Sequence, residues 1–209
     1  MKQDPQKRVD TRRRATPRRR PDADPEGRIP PGQYLTDKFP VLTHGPTPTI
    51  DLETWRFRAF GLVESEITWT YTEFMALPQI EITTDFHCVT RWSQLDNTWQ
   101  GVPIGEVINR LTIQPEAQYV MVHAFGGYTT NLPLADLLED DVLFAHSRNG
   151  APLSSEHGGP LRLVVPRLYA WKSAKWANGL EFMAHDRPGF WEAAGYHNHG
   201  DPWEEERFN

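Results

Sequence analysis

Between residues 55 and 62 large apolar and basic side chains alternate, with Trp55, Phe57 and Ala59 on one side and Arg56 and Arg58 on the other. Period two is the mark of a half-buried strand, and Gly61 sits where this one ends. Residues 70–77 change to helical character, opened by Thr70 with Glu73 three positions on and stopped by Pro78. A strand over 81–84 runs straight into Asp85-Phe86-His87-Cys88. Pro103 opens a helix over 103–111 in which Ile104, Val107, Ile108 and Leu111 share a face. Strands are predicted over 119–124, 128–132, 142–146, 161–165 and 179–183, with Gly126-Gly127 turning between the first two. Residues 34–48 read as an extended loop, because prolines at 40, 46 and 48 forbid a helix. A brief helix over 190–194 is read into the aromatic, polar C-terminal stretch. Strands and short helices alternate without a βαβαβ rhythm, so the pattern predicts an α+β fold.

Composition adds limits to this picture. The 209 residues suit one domain and a tail, and 18 prolines with 15 glycines favour a loop-rich fold over a helical bundle. Residues 1–30 read as a disordered, basic, proline-rich arm and residues 31–209 as the domain. The arm's first 20 residues carry nine Lys/Arg against Asp4 and Asp10, a net of +7; the rest of the chain, with 13 basic and 26 acidic residues, has a net of −13. An acidic body argues against nucleic acid as its partner. Nothing approaches a transmembrane run of about 18–20 apolar residues. The arginines at 18–20 are followed by Pro-Asp-Ala-Asp-Pro-Glu-Gly rather than an apolar stretch, so a cytoplasmic location is expected.

The one cysteine, Cys88, forms no disulfide within the chain. It falls at a strand end, with His87 before it and Arg91 after it, both able to favour a thiolate. Trp92 and Trp99 supply bulk that excludes water, and a soft thiolate selects soft or high-valent metals. The eight histidines show neither His-Glu-x-x-His nor any partner for Cys-x-x-Cys, so a zinc cage is not indicated. Farther on, Arg162 faces away from Leu161 and Leu163 on a buried strand and requires an anion. Lys172, Ser173 and Lys175 gather two ammonium groups and a hydroxyl on one turn, which suits either a phosphate or a salt-bridge cluster.

Five motifs succeed one another: Phe39-Pro40-Val41-Leu42-Thr43-His44-Gly45-Pro46; His87-Cys88-Val89 with Trp92-Ser93; Trp99-x-Gly101-Val102-Pro103; His157-Gly158-Gly159-Pro160-x-Arg162; and Lys172-Ser173-x-Lys175-Trp176. In this order and spacing, from about residue 32 to the C-terminus, the chain resembles the molybdopterin-binding domain of the sulfite oxidase family. The resemblance is to its small bacterial and archaeal members. It implies a mixed-sheet, single-domain fold and a molybdenum–molybdopterin cofactor. Cys88 then ligates the metal beside the pterin dithiolene. His44 and, more loosely aligned, His123 contact the pterin, while His157 and Arg162 hydrogen-bond pterin and phosphate. Ser173, Ala174 and Lys175, with Lys172 beside them, hold the phosphate end. His87 and Arg91 are expected to orient the thiolate or the substrate, and Tyr196 and His197 to close the pocket mouth.

The chain departs from sulfite oxidases in carrying Leu42 where they carry an arginine. Its Cys88-Val89-Thr90-Arg91-Trp92-Ser93 run resembles the bacterial methionine-sulfoxide reductase branch instead. The resemblance implies two-electron chemistry, oxygen-atom transfer on a small substrate at a Cys88-ligated oxo-molybdenum centre, with a separate electron-transfer protein as partner. Two other readings stand beside it: a metal-free thiol redox protein, and a non-catalytic binding module that retains the fold.

Overall fold

Phe57 and Phe144 meet edge to face at 4.9 Å, and that contact joins two sheets. The computed structural model describes residues 27–209. One sheet holds β1 (Tyr34–Leu35), β4 (Ile80–His87), β5 (Trp92–Pro103), β8 (Leu143–Arg148), β9 (Ala151–Pro152) and β10 (Arg162–Val164). The other runs in the order β3 (Ile67–Thr70), β2 (Arg56–Gly61), β11 (Ala177–Met183), β6 (Tyr119–Ala124), β7 (Thr129–Pro133). Parallel pairs, β1 with β5 and β2 with β11, occur among antiparallel ones, so both sheets are mixed. Four short helices connect them: α1 (Tyr71–Met75), α2 (Ile104–Ile108), α3 (Leu134–Leu137) and α4 (Phe190–Ala193). This is the α+β architecture that the pattern predicts.

Local chemistry accounts for several boundaries. In β2 the alternation is kept, with Phe57 and Ala59 buried and Arg56 and Arg58 exposed. Thr70 and Glu73 form the reciprocal capping box at the start of α1. The helix after Pro103 stops at Ile108, short of the predicted 111. Strand β5 is the main element that the pattern does not show. Its Ser93, Gln94, Asp96, Asn97 and Thr98 carry no apolar alternation, yet it pairs with β1, β4 and β8. Tertiary pairing overrides local propensity there.

The six-stranded sheet is packed on both faces. Leu161, Leu163 and Val165 join the core between the sheets, while Val164 joins a second cluster with Phe86, Cys88, Trp92, Trp99, Tyr169 and Trp171. Alternation puts Arg162 on the Val164 side. The basic arm, up to residue 26, lies outside the described residues. Residues 27–30 rest on the domain: Arg28 Nε donates to Asp85 at 2.9 Å, Nη2 pairs with Asp96 at 2.7 Å, and Pro30 is buried. No helix among the described residues is long and apolar enough to cross a membrane.

Candidate active site

A cavity of about 300 Å³ opens in the second cluster. The tip of the β4–β5 hairpin forms one wall. Cys88 N donates to Trp92 O at 2.9 Å, Arg91 N donates to Cys88 O at 2.9 Å, and Arg91 takes a left-handed φ of 77°. That is the geometry of a three-residue hairpin loop, and it fixes the thiol at the strand end. Cys88 is 6% exposed and lines the cavity with Thr90 and Trp92. Its Sγ lies 3.2 Å from Thr90 Oγ1. Burial pushes the thiol pKa up, opposed by the Thr90 hydrogen bonds and the charges of Arg162 and Arg207.

Arg162 enters from β10 as a buried guanidinium. Its Nη1 donates to His157 O at 3.0 Å, and its Cζ lies 5.0 Å from the Phe86 ring centre. Nε is buried without a hydrogen-bond partner, and no carboxylate among the described residues pairs with the group. Burial draws its pKa down to about 10, so it stays charged at neutral pH. The turn after Trp171 supplies Ser173, Ala174 and Lys175 to the same wall. Ser173 Oγ accepts from Val165 N at 2.9 Å, leaving its O–H to donate elsewhere. Lys175 Nζ donates to Glu156 O at 2.7 Å, and burial lowers its pKa to about 8. His44 lines the mouth, its ring centre 4.6 Å from that of Phe190. Tyr196 stacks on Trp191 at 4.9 Å and completes the rim.

Six expected site residues do not line this cavity. Lys172 is fully buried behind the turn and paired with Glu192 Oε1 at 2.6 Å. Such a pair is structural, because its charge is already met. His123 sits on β6 in the other sheet, Nε2 2.9 Å from Glu181 Oε2. His157 acts one layer back: its Nε2 donates to Phe39 O at 3.1 Å, and its ring stacks on Phe39, which does line the cavity. His87 is turned to Ser93 Oγ at 2.8 Å, and burial draws its pKa down to about 4, so it brings no positive charge to the thiol. Arg91 is exposed and its place is set by the hairpin backbone. His197 packs by Nδ1 against Glu206 Oε2 at 3.3 Å.

The glycine pair serves the chain itself. A Cβ at Gly158 would meet Lys175 at 3.1 Å, and one at Gly159 would meet Leu153 O at 2.3 Å. Sequence reading missed Thr90, Tyr128 and Phe39 as wall residues. The Phe39 ring bears the guanidinium of Arg148 at 3.9 Å, a contact no motif could reveal.

Residues 44–191 match the family model for the oxidoreductase molybdopterin binding domain. The chain belongs to that family. It is 47% identical over 187 residues to the uncharacterized oxidoreductase YuiH of Bacillus subtilis, covering 89% of this chain and 94% of that one. It is 29% identical to the putative protein-methionine-sulfoxide reductase subunit YedZ1 of Azospira oryzae, over 80% of this chain and 65% of that one. The sulfane dehydrogenase SoxCD of Paracoccus pantotrophus shares the fold, with a TM-score of 0.62 at 22% identity, over 68% of this chain and 41% of that one. The chain is therefore an oxidoreductase of the molybdopterin-dependent kind, and its cofactor is the molybdenum–molybdopterin of the family.

The donor set fits such a group. A soft sulfur lies on one wall, and a buried cation with a free Nε lies with a hydroxyl and an ammonium on another. That pairing suits a cofactor with a metal at one end and a phosphate at the other. Among the described residues there is no group of three or more His, Cys, Asp or Glu placed to hold a metal.

Proposed function

We propose that Cys88 gives the protein sulfur to molybdenum and that the chain carries out two-electron, oxygen-atom-transfer chemistry on a small substrate. The observation that supports this most is that the chain's one cysteine shares a cavity with the carboxylate-free cation Arg162. When bound, the cofactor supplies the redox chemistry; the chain binds, orients and shields it. Arg162, Lys175 and the Ser173-Ala174 turn hold the phosphate and pterin end. His44 contacts the pterin near the mouth, and Trp92, Trp171 and Trp191 exclude water. Tyr196 closes the rim of the cavity that Cys88 lines, and burial raises the phenol's pKa.

Leu42 on the cavity wall gives no charge for an anion such as sulfite. A neutral small substrate suits it better, in line with relatives named as subunits of protein-methionine-sulfoxide reductases. Those names also support exchange of electrons with a separate protein. A metal-free thiol mechanism lacks a second cysteine to resolve the oxidised form.

The test is metal analysis with a pterin fluorescence assay on protein made in a host that synthesises the cofactor. Near-stoichiometric molybdenum is expected, and well-folded protein free of molybdenum and tungsten would overturn the reading. In Cys88→Ser the pterin stays bound through its phosphate contacts while redox activity is lost. Loss of pterin together with activity would show that the cation wall has been given too large a part.

A further inference from the structure

The two ends of the described chain meet behind the Cys88 hairpin. Gln33 Nε2 donates to Cys88 O at 3.0 Å and to Trp92 O at 3.2 Å. Arg207 Nη1 donates to Val89 O at 2.9 Å, and its Nη2 donates to Pro31 O and to Gln33 Oε1, each at 3.2 Å. Three carbonyls of the loop that carries Cys88 are thus held by two buried side chains, one from each end. Gly32, at a φ of +71°, brings the backbone against this fork; a Cβ there would lie 3.2 Å from Arg207 Nη2.

Hydrogen bonding alone does not account for the choice of arginine. Arg207 is 6% exposed, its Nε is buried without a partner, and its Cζ lies 5.0 Å from the Tyr169 ring centre. The nearest carboxylate, Glu205 Oε1, is 3.7 Å away on a half-exposed side chain. A buried cation so weakly compensated is costly, and a neutral donor could make the same bonds to carbonyls. Its positive charge, however, is hydrogen-bonded at 2.9 Å to the carbonyl of the residue next to Cys88, in a buried surrounding that screens it little.

Resting on the assignment of Cys88 as the metal's ligand, we infer that Arg207, braced by Gln33, is a positioning residue that fixes the Cys88 loop and raises the reduction potential of the centre. The sign comes from charge. Each electron added to the centre makes it more negative, and a nearby fixed cation in a low-dielectric surrounding favours the reduced form.

The experiment uses the full chain loaded with its cofactor. It reads the molybdenum midpoint potential by a spectroscopically monitored redox titration, and amide exchange over residues 88–92. Arg207→Met is expected to lower the potential and speed exchange. Arg207→Lys keeps the charge and is expected to restore the potential towards wild type while exchange stays fast. Gln33→Met loosens the loop without a change of charge, and its potential is expected to hold. Should Arg207→Met fail to fold, Arg207→Gln keeps a donor for Val89 O without charge and carries the same expected fall. A wild-type potential in the uncharged variants, or an equal fall in Gln33→Met, overturns the inference alone. Wild-type protein without molybdenum overturns it together with the assignment of Cys88.

Discussion

Arg162 and Lys172 are buried cations on opposite sides of one turn, and their surroundings differ in kind. Lys172 Nζ meets Glu192 Oε1 at 2.6 Å, Asn131 O at 2.8 Å and Asn198 O at 2.6 Å. The same Glu192 oxygen accepts from Thr130 Oγ1 at 2.8 Å and from Trp171 Nε1 at 2.9 Å. This network pairs the Lys172 ammonium with a carboxylate, although Glu192 Oε2 is left without a hydrogen-bond partner, and it holds the Trp171 ring as a cavity wall. Arg162, on the cavity side, has one carbonyl for its Nη1 and nothing for its Nε. Burial of a charge is therefore not what marks a ligand site. The mark is a charge that lines a cavity without its counter-charge, since folding normally satisfies buried polar groups.

The largest effect that tests this contrast is expected on the closed side. Lys172→Met leaves Glu192 buried and unpaired, which should lower the unfolding free energy by about 3–5 kcal/mol in chemical denaturation. Arg162→Met should behave otherwise. In cofactor-free protein its stability is expected within about 1 kcal/mol of wild type, because a poorly compensated charge is exchanged for an apolar stem. Its cost falls on the cofactor, read as pterin fluorescence retained after gel filtration. If Arg162→Met destabilised the free protein as much as Lys172→Met, the contrast would be broken.

This pair also shows how far sequence could see. Arg162 was legible because strand alternation is local: Leu161, Leu163 and Val165 face the inter-sheet core, so residue 162 must face away. Lys172 was not, because the partners of its ammonium are 20, 26 and 41 residues distant in the chain, as the positions of Glu192, Asn198 and Asn131 require. The same reason hid β5, which is held by cross-strand pairing rather than by its own polar sequence. The Thr70–Glu73 capping box, confined to four residues, was read correctly. Of the residues that the motif order points to, His44, Arg162, Ser173, Ala174 and Lys175 line the cavity with Cys88, while the support behind its loop lies outside the motifs. His87 and Arg91 are its neighbours in sequence, whereas the brace behind its loop comes from Gln33 and Arg207.

The smallest expected effect concerns the outer layer of the closed side. His199 lies next to the Asn198 carbonyl that receives Lys172, and it bridges Asp136 Oδ2 at 3.0 Å and Glu206 Oε2 at 2.9 Å. The hydrogen bond to Asp136 raises its pKa above 6.5, against burial and aided by Glu206. Arg167 also pairs with Asp136, and His197 with Glu206. A raised folded-state pKa means that protonated His199 contributes stability in full below the unfolded value of 6.5, and that the contribution is lost as pH rises through the folded value. The carboxylates have the opposite sense. Their pKa values lie below 3.8 for Asp136 and 4.5 for Glu206, so their share is lost as acid protonates them. The bridge is therefore strongest between those two limits. His199 is more than a third exposed at its side chain, so solvent screening holds its worth to a few tenths of a kcal/mol, at most about 1. His199→Gln should lower stability below pH 6.5 and converge with wild type as pH rises through the raised folded-state pKa. A deficit that grew with pH would show that His199 acts as a neutral hydrogen-bonding spacer, and that the closed side owes nothing to its charge.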